Sequence, residues 1–220
     1  MKKDFALISV LIDISGSMGK IASDTVGGFN TFLKEQQGLP SEAQMNLVLF
    51  DDKYEKKAWM KPIKLMPSLS LKEEGGTILF KPRGSTALLD AIAKLIDETG
   101  EHLSSMEESL RPDKVIFVII TDGDENSSVK FNWFDVQTRI ETQTKDFNWT
   151  FLFLGANQDA IATASKLAIP ATHAIKYVAN SAGTSAVYAS TSNVVYATRG
   201  GGGSKTFTTR DINAQKNAGL

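Results

Sequence analysis

Phe5-Ala6-Leu7-Ile8-Ser9-Val10-Leu11-Ile12-Asp13-Ile14-Ser15-Gly16-Ser17 is the stretch that decides the fold. The apolar run Phe5 to Ile12 reads as a strand covered on both faces, the kind that occupies the middle of a parallel sheet. The Asp-x-Ser-x-Ser that follows places one carboxylate and two hydroxyls on the turn leaving that strand. Such a set suits a hard cation: Mg²⁺ takes about six oxygen ligands and usually only one or two carboxylates. The same five residues also read as a Ser/Gly turn capping the next helix.

Two further segments bear on the choice. Val115-Ile116-Phe117-Val118-Ile119-Ile120 is a second buried strand, rich in β-branched residues, and Thr121-Asp122-Gly123 follows it directly. Arg83-Gly84-Ser85-Thr86 opens a helix whose Leu88, Leu89, Ile92, Leu95 and Ile96 recur at helical spacing. Thr86 therefore lies at or beside the helix N-terminus, where Ser85 or Thr86 also suits the N-cap. In an open doubly wound sheet, ligands bind outside the carboxyl ends of the strands, where the strand order reverses. If the strands ending at Asp13 and Asp122 are neighbours there, the three loops meet in one crevice. Two carboxylates that close require an ion, a proton or a basic side chain.

Asp13-x-Ser15-x-Ser17, Thr86 and Asp122 resemble the metal-ion-dependent adhesion site of von Willebrand factor A domains. The resemblance implies that Ser15, Ser17 and Thr86 ligate Mg²⁺ or Mn²⁺, that Asp13 and Asp122 bind it directly or through water, and that a partner's carboxylate completes the coordination. It covers roughly residues 4–180. It is similar in particular to small stand-alone A domains of bacteria and their phages, through Gly27-Gly28-Phe29-Asn30, Phe50-Asp51-Asp52, Arg111-Pro112-Asp113-Lys114-Val115 and Leu154-Gly155-Ala156-Asn157-Gln158-Asp159.

The rest of the chain agrees with an α/β fold: a doubly wound, mostly parallel sheet of about six strands, one of them an antiparallel edge strand, with helices on both faces. Helices are expected over 21–37, from Thr86 to about Met106, over 131–145 and over 157–167. Strands are expected over 44–51, 54–60, 149–154 and 172–178. Gly27-Gly28 inside the first helix implies close backbone approach to the sheet or a local break. The short Asp51-Asp52-Lys53 connection makes a hairpin, and Lys56, Lys57 and Lys61 guard its outer edge. Residues 61–83, with Pro62, Pro67, Pro82 and Gly75-Gly76, read as a surface excursion. Residues 182–198 carry a helical stripe, Val187, Tyr188, Val194 and Val195, weakened by β-branching. The domain is expected to occupy 1–198, and 199–220 to be a flexible glycine-rich linker and polar tail that buries nothing.

Composition excludes several function classes. With 24 basic and 25 acidic residues, the net charge of −1 provides no field for nucleic acid or an anionic membrane. Absence of cysteine excludes disulfides and thiolate metal sites. Met1-Lys2-Lys3 before an apolar run imitates a secretory leader, but Asp4 and Ser9 interrupt it and the run is needed as a strand, so a cytoplasmic location is expected. His102 and His173 stand outside any acidic or hydroxyl cluster and read as structural or exposed. Asp124 and Glu125 read as solvated loop acids.

The expected function is a non-enzymatic, divalent-metal-dependent protein-binding module. Its metal residues are Asp13, Ser15, Ser17, Thr86 and Asp122, and its partner offers an Asp or Glu. Two other classes stand beside it. One is a structural or assembly component, of a phage particle or multiprotein complex, with the site used in self-association. The other is a Mg²⁺-dependent phosphohydrolase with Asp13 as nucleophile; against it, Ser15 stands where such enzymes carry a second acid, and no lysine is placed near a phosphate.

Overall fold

The protein is described by a computed structural model over residues 1–156 and 159–220. A six-stranded sheet runs in the order β3-β2-β1-β6-β7-β8. Its strands are β1 (Lys2–Asp13), β2 (Glu42–Phe50), β3 (Tyr54–Pro62), β6 (Pro112–Thr121), β7 (Thr150–Gly155) and β8 (Ala174–Lys176). All pairs are parallel except β2 with β3, the hairpin that makes the antiparallel edge. Two short strands, β4 (Leu69–Ser70) and β5 (Ile78–Leu79), pair within the 61–83 excursion.

Alternation along β1 explains why both faces are covered. Ile8, Val10 and Ile12 enter one core, beneath α1 (Ala22–Gln37) and α5 (Ser181–Thr198). Leu7 and Leu11 enter the other, beneath α2 (Leu88–Ser105), α3 (Trp133–Phe147) and α4 (Ala160–Lys166). β6 divides in the same way: Ile116, Val118 and Ile120 face the first core, while Val115, Phe117 and Ile119 face the second. The expected 157–167 helix begins on Asn157 and Gln158, which lie outside the described residues.

α5 forms where β-branching argued weakly for a helix, because it is buried almost all round. Val187, Tyr188, Val194 and Val195 pack into the core. Thr191 and Thr198 donate back to the carbonyls of Val187 and Val194, at 2.7 and 2.8 Å, so these hydroxyls enter the interior already bonded. The glycine pair of α1 also has a specific origin. A methyl on Gly28 would lie 2.2 Å from Cδ2 of Tyr188, so the close approach is to α5 and not to the sheet, whereas Gly27 faces open space. Arg199, the α5 C-cap, donates to the carbonyls of Gln36 and Ser41 and ties the lower ends of α1 and α5 together.

Residues 199–220 depart from the expected free tail. Phe207 is buried, and a sixth helix, α6 (Thr209–Asn217), starts in a capping box between Thr208 and Asp211. Gln215 is fully buried, accepting from Val178 N at 3.1 Å and donating to Gly183 O at 3.0 Å. A polar segment needs little apolar surface to dock when one phenylalanine and one doubly bonded amide anchor it. Among the described residues, no helix is long and apolar enough to cross a membrane.

Candidate metal centre

β1 and β6 are adjacent parallel strands, paired Ile12 with Ile120 at their upper ends, and the strand order reverses between them. Asp13 closes β1 and Asp122 follows the last residue of β6, so both carboxylates sit at the switch point. The third loop is fastened to the first by backbone bonds. Arg83 N donates to Ile14 O at 2.6 Å, and Gly16 N donates to Gly84 O at 3.1 Å. Gly84 adopts φ +68, and a methyl there would meet Asp52 Oδ1 at 2.5 Å, so only glycine fits this turn. Asp51, buried beneath it, takes the Arg83 guanidinium at 2.8 Å.

The hydroxyls predicted to ligate are not spent on helix capping. Ser15 precedes a 3₁₀ turn, Gly16–Ile21, without a side-chain cap bond, and α1 begins only at Ala22. Likewise the N-cap position of α2 is Ala87, not Ser85 or Thr86. The Asp122 loop caps α2 instead: Glu125 Oε2 accepts from Leu89 N at 2.9 Å and Ser128 Oγ accepts from Asp90 N at 3.1 Å. Glu125 also accepts from Ser127 N and Ser128 N, and is thus a structural clasp instead of a solvated loop acid. Asn126 holds Thr86 from both sides, accepting from Thr86 N at 2.9 Å and donating its own N–H to Thr86 O at 3.1 Å.

The five predicted residues come together. Ser15 and Ser17 hydroxyls are 3.1 Å apart, and Ser17 donates to Asp122 Oδ1 at 2.6 Å. Asp13, fully buried, accepts from Ser15 N and from Thr121 Oγ1, both at 2.6 Å. A methyl built on Gly123 would stand 2.9 Å from Thr86 Oγ1, 3.5 Å from Ser17 Oγ and 3.6 Å from Asp13 Oδ2, so oxygens of two loops surround one point that the glycine of the third leaves open.

Burial pushes the Asp13 carboxyl up to about 6, against the bonds from Thr121 and Ser15 that pull it down. Asp122 is also raised by burial, against the bond from Ser17. Among the described residues no lysine or arginine pairs with either carboxylate. Lys20 acts on Asp122 electrostatically without forming an ion pair, and the two partly desolvated carboxylates and three hydroxyls make an all-oxygen donor set that fits a hard divalent ion. Among the described residues no group of three His, Cys, Asp or Glu forms a site of the zinc-enzyme type. His102 packs against Trp59 and His173 stands beside Thr172, both outside the crevice.

Comparison with solved structures fixes the architecture. Proximal thread matrix protein 1 from the mussel byssus, solved with a zinc-occupied MIDAS motif, superposes with a TM-score of 0.60 at 14% identity, over 87% of this chain and 48% of that one. This is a von Willebrand factor A fold. The ArnB paralog VWA2 from Sulfolobus acidocaldarius matches at TM-score 0.51 and 15% identity, over 87% of this chain and 45% of that one. A von Willebrand factor type A protein from Catenulispora acidiphila matches at 0.50 and 15%, over 87% and 42%. The chain spans about half the length of the solved structures it matches. No family model matches the sequence, and no curated protein matches it.

Thr121, Glu125 and Asn126 are the positioning residues that sequence reasoning missed. Thr121 had a usable signal, since a hydroxyl closing the strand next to the Asp13 strand faces the same crevice once the two are paired. Glu125 and Asn126 had none, because the helix start and the threonine they hold lie about 40 residues earlier in the chain.

Proposed function

We propose that this A domain is a divalent-metal-dependent protein-binding module. Ser15, Ser17 and Thr86 would hold Mg²⁺ or Mn²⁺, with Asp13 and Asp122 bound directly or through water. The gathering of Thr86, Ser17 and Asp13 oxygens at the open face of Gly123, with Ser15 and Asp122 joined to Ser17 by hydrogen bonds, carries this reading. A bound ion with at most two carboxylates stays electrophilic and offers a position to an Asp or Glu from outside. Zinc at the corresponding motif of the mussel thread protein supports a metal role for the same fold position.

The chain's own residues favour capture over turnover. Asp13 is fully buried and both its carboxylate oxygens already accept hydrogen bonds, an unsuitable state for a nucleophile. An assembly role is the second reading, favoured by the likeness to a thread matrix protein.

Calorimetric titration with Mn²⁺, alongside partner capture, tests the proposal in wild type, Asp13→Ala and the exposed-site variant Ser17→Ala. Both variants should lose metal and partner together. Partner capture retained after metal loss would refute the coupling. Light scattering with and without chelator separates the two readings: metal-dependent oligomers favour assembly, a constant monomer favours an external partner.

A further inference from the structure

The 3₁₀ turn after Ser15, Gly16–Ile21, repeats every three residues, so side chains three apart stand over one another. Its three faces go to different neighbours. Met18 and Ile21 are buried in the core beneath α1 and α5. Gly16 and Gly19 lie against the loop that bears Thr86: Gly16 N donates to Gly84 O, and a methyl on Gly19 would come within 4.0 Å of Pro82 Cβ. Ser17 and Lys20 form the third face, and both are exposed. Ser17 turns this face to Asp122, to which it donates at 2.6 Å. Lys20 stands about 6 Å further along the turn, a step that its flexible four-carbon stem can span. It is drawn to Asp122 electrostatically, yet among the described residues it is in no ion pair.

The charge balance of the site gives this position its importance. A divalent ion held by Asp13 and Asp122 is formally neutralised by those two carboxylates, and the neighbouring loops add Asp52 and Asp124, both exposed. An incoming carboxylate is therefore opposed around the site except where a side-chain cation meets it. Arg83 is committed to Asp51 and Glu55, and Lys81, also exposed, begins the loop that packs on the glycine face of the turn. Lys20 alone shares a face with one of the five candidate ligands. Its charge also lies close enough to a bound ion to weaken the hold on it, so removing it acts in opposite directions on ion and ligand.

We infer that Lys20 is a specificity-determining residue of this site: its ammonium takes the partner's carboxylate beside the metal, so that a charged Asp or Glu is accepted and a neutral oxygen donor is not. This rests on the metal-dependent reading above and adds to it the residue that makes the site selective for charge.

The test measures water proton relaxation of the full chain saturated with Mn²⁺, with acetate as the probe carboxylate and acetamide as its neutral isostere, at constant ionic strength. Acetate that displaces water from the ion lowers the relaxation. Wild type should respond to acetate and not to acetamide. In Lys20→Gln the acetate affinity should fall about two- to fivefold, the order of one exposed charge contact, while calorimetry shows Mn²⁺ affinity equal or higher. Lys20→Arg should restore the acetate response. Lys81→Gln, which removes a neighbouring charge off the Ser17 face, should leave it intact. Undiminished acetate affinity in Lys20→Gln, an equal loss in Lys81→Gln, a parallel loss of Mn²⁺ affinity in Lys20→Gln, or a wild-type response to acetamide equal to that to acetate overturns the Lys20 inference alone. Absence of Mn²⁺ binding in wild type, or of any response to acetate, overturns the metal-dependent reading itself.

Discussion

Replacing Gly123 by alanine tests the metal centre with the least disturbance to the fold. The added methyl would lie 2.9 Å from Thr86 Oγ1, and relief to an ordinary contact of 3.4 Å displaces that hydroxyl by about 0.5 Å. Ligand distances in metal sites are held to about ±0.2 Å, so Thr86 would be lost as an effective donor. Losing one supporting contact costs about 10–100-fold in metal affinity, equivalent to about 1.4–2.8 kcal/mol. Gly123 is outside the left-handed region, so alanine strains no backbone there and trims the freedom of the unfolded chain by about 0.4–1 kcal/mol. The expected result is therefore divided: Mn²⁺ titration by calorimetry shows the weakened affinity, while melting in chelator stays within a few degrees of wild type. Unchanged Mn²⁺ affinity in a folded Gly123→Ala protein would refute the reasoning, because it would mean that the ion does not use the oxygens around that point.

Four further outcomes follow from the packing. Glu125→Ala leaves Leu89, Ser127 and Ser128 N–H groups without their acceptor, and should lower stability in urea by about 1–2 kcal/mol and speed amide exchange at Leu89. Gly28→Ala, with its methyl 2.2 Å from Tyr188, should cost about 1–3 kcal/mol by denaturation, whereas Tyr188→Phe should be nearly neutral because that buried hydroxyl has no partner among the described residues. Gln215→Ala should cost about 2 kcal/mol and expose residues 200–220 to limited proteolysis, since Val178 N and Gly183 O lose their partner. Burial works against the Asp211 carboxylate, but its bonds from Thr208 prevail and hold its pKa below the usual carboxylate value. A lowered acid stabilises above its unfolded pKa of about 3.9, so α6 should loosen only as the pH falls below that value, seen as proteolytic release of the C-terminus in acid and not at neutrality.

The strands and the meeting of the five candidate residues were legible because local pattern and tertiary placement coincide there. Phe5 to Ile12 and Val115 to Ile120 carry continuous apolar character, which only a doubly covered strand can bury, and their terminal acids then fall at the switch point without further information. What stayed hidden depends on partners distant in sequence. Gly28 announces a close approach but not the ring of Tyr188 that makes it, and Glu125 resembles any loop acid until α2 is seen to begin beneath it. The C-terminal segment is polar by composition, and its docking rests on Phe207 and Gln215, two residues too few to alter a reading based on averages.

The way α2 is capped makes the site a consequence of the finished fold instead of a local motif. Thr86 keeps its hydroxyl free only because Glu125 and Ser128, on the loop that bears Asp122, supply the acceptors that a local N-cap would otherwise provide. The threonine and the second aspartate are therefore set by one another: a chain in which the Asp122 loop has not closed over α2 has neither in place. Affinity for a divalent ion should then be confined to the native state, and binding confined to the native state stabilises it by about 2.7 kcal/mol at a hundredfold excess over Kd. A chelator-sensitive melting temperature, lost in Glu125→Ala as well as in Ser17→Ala, would show that the clasp and the ligands work as one unit. If Glu125→Ala lowered stability but left the metal-induced increment whole, Thr86 would be held by Asn126 alone and that mutual dependence would be wrong.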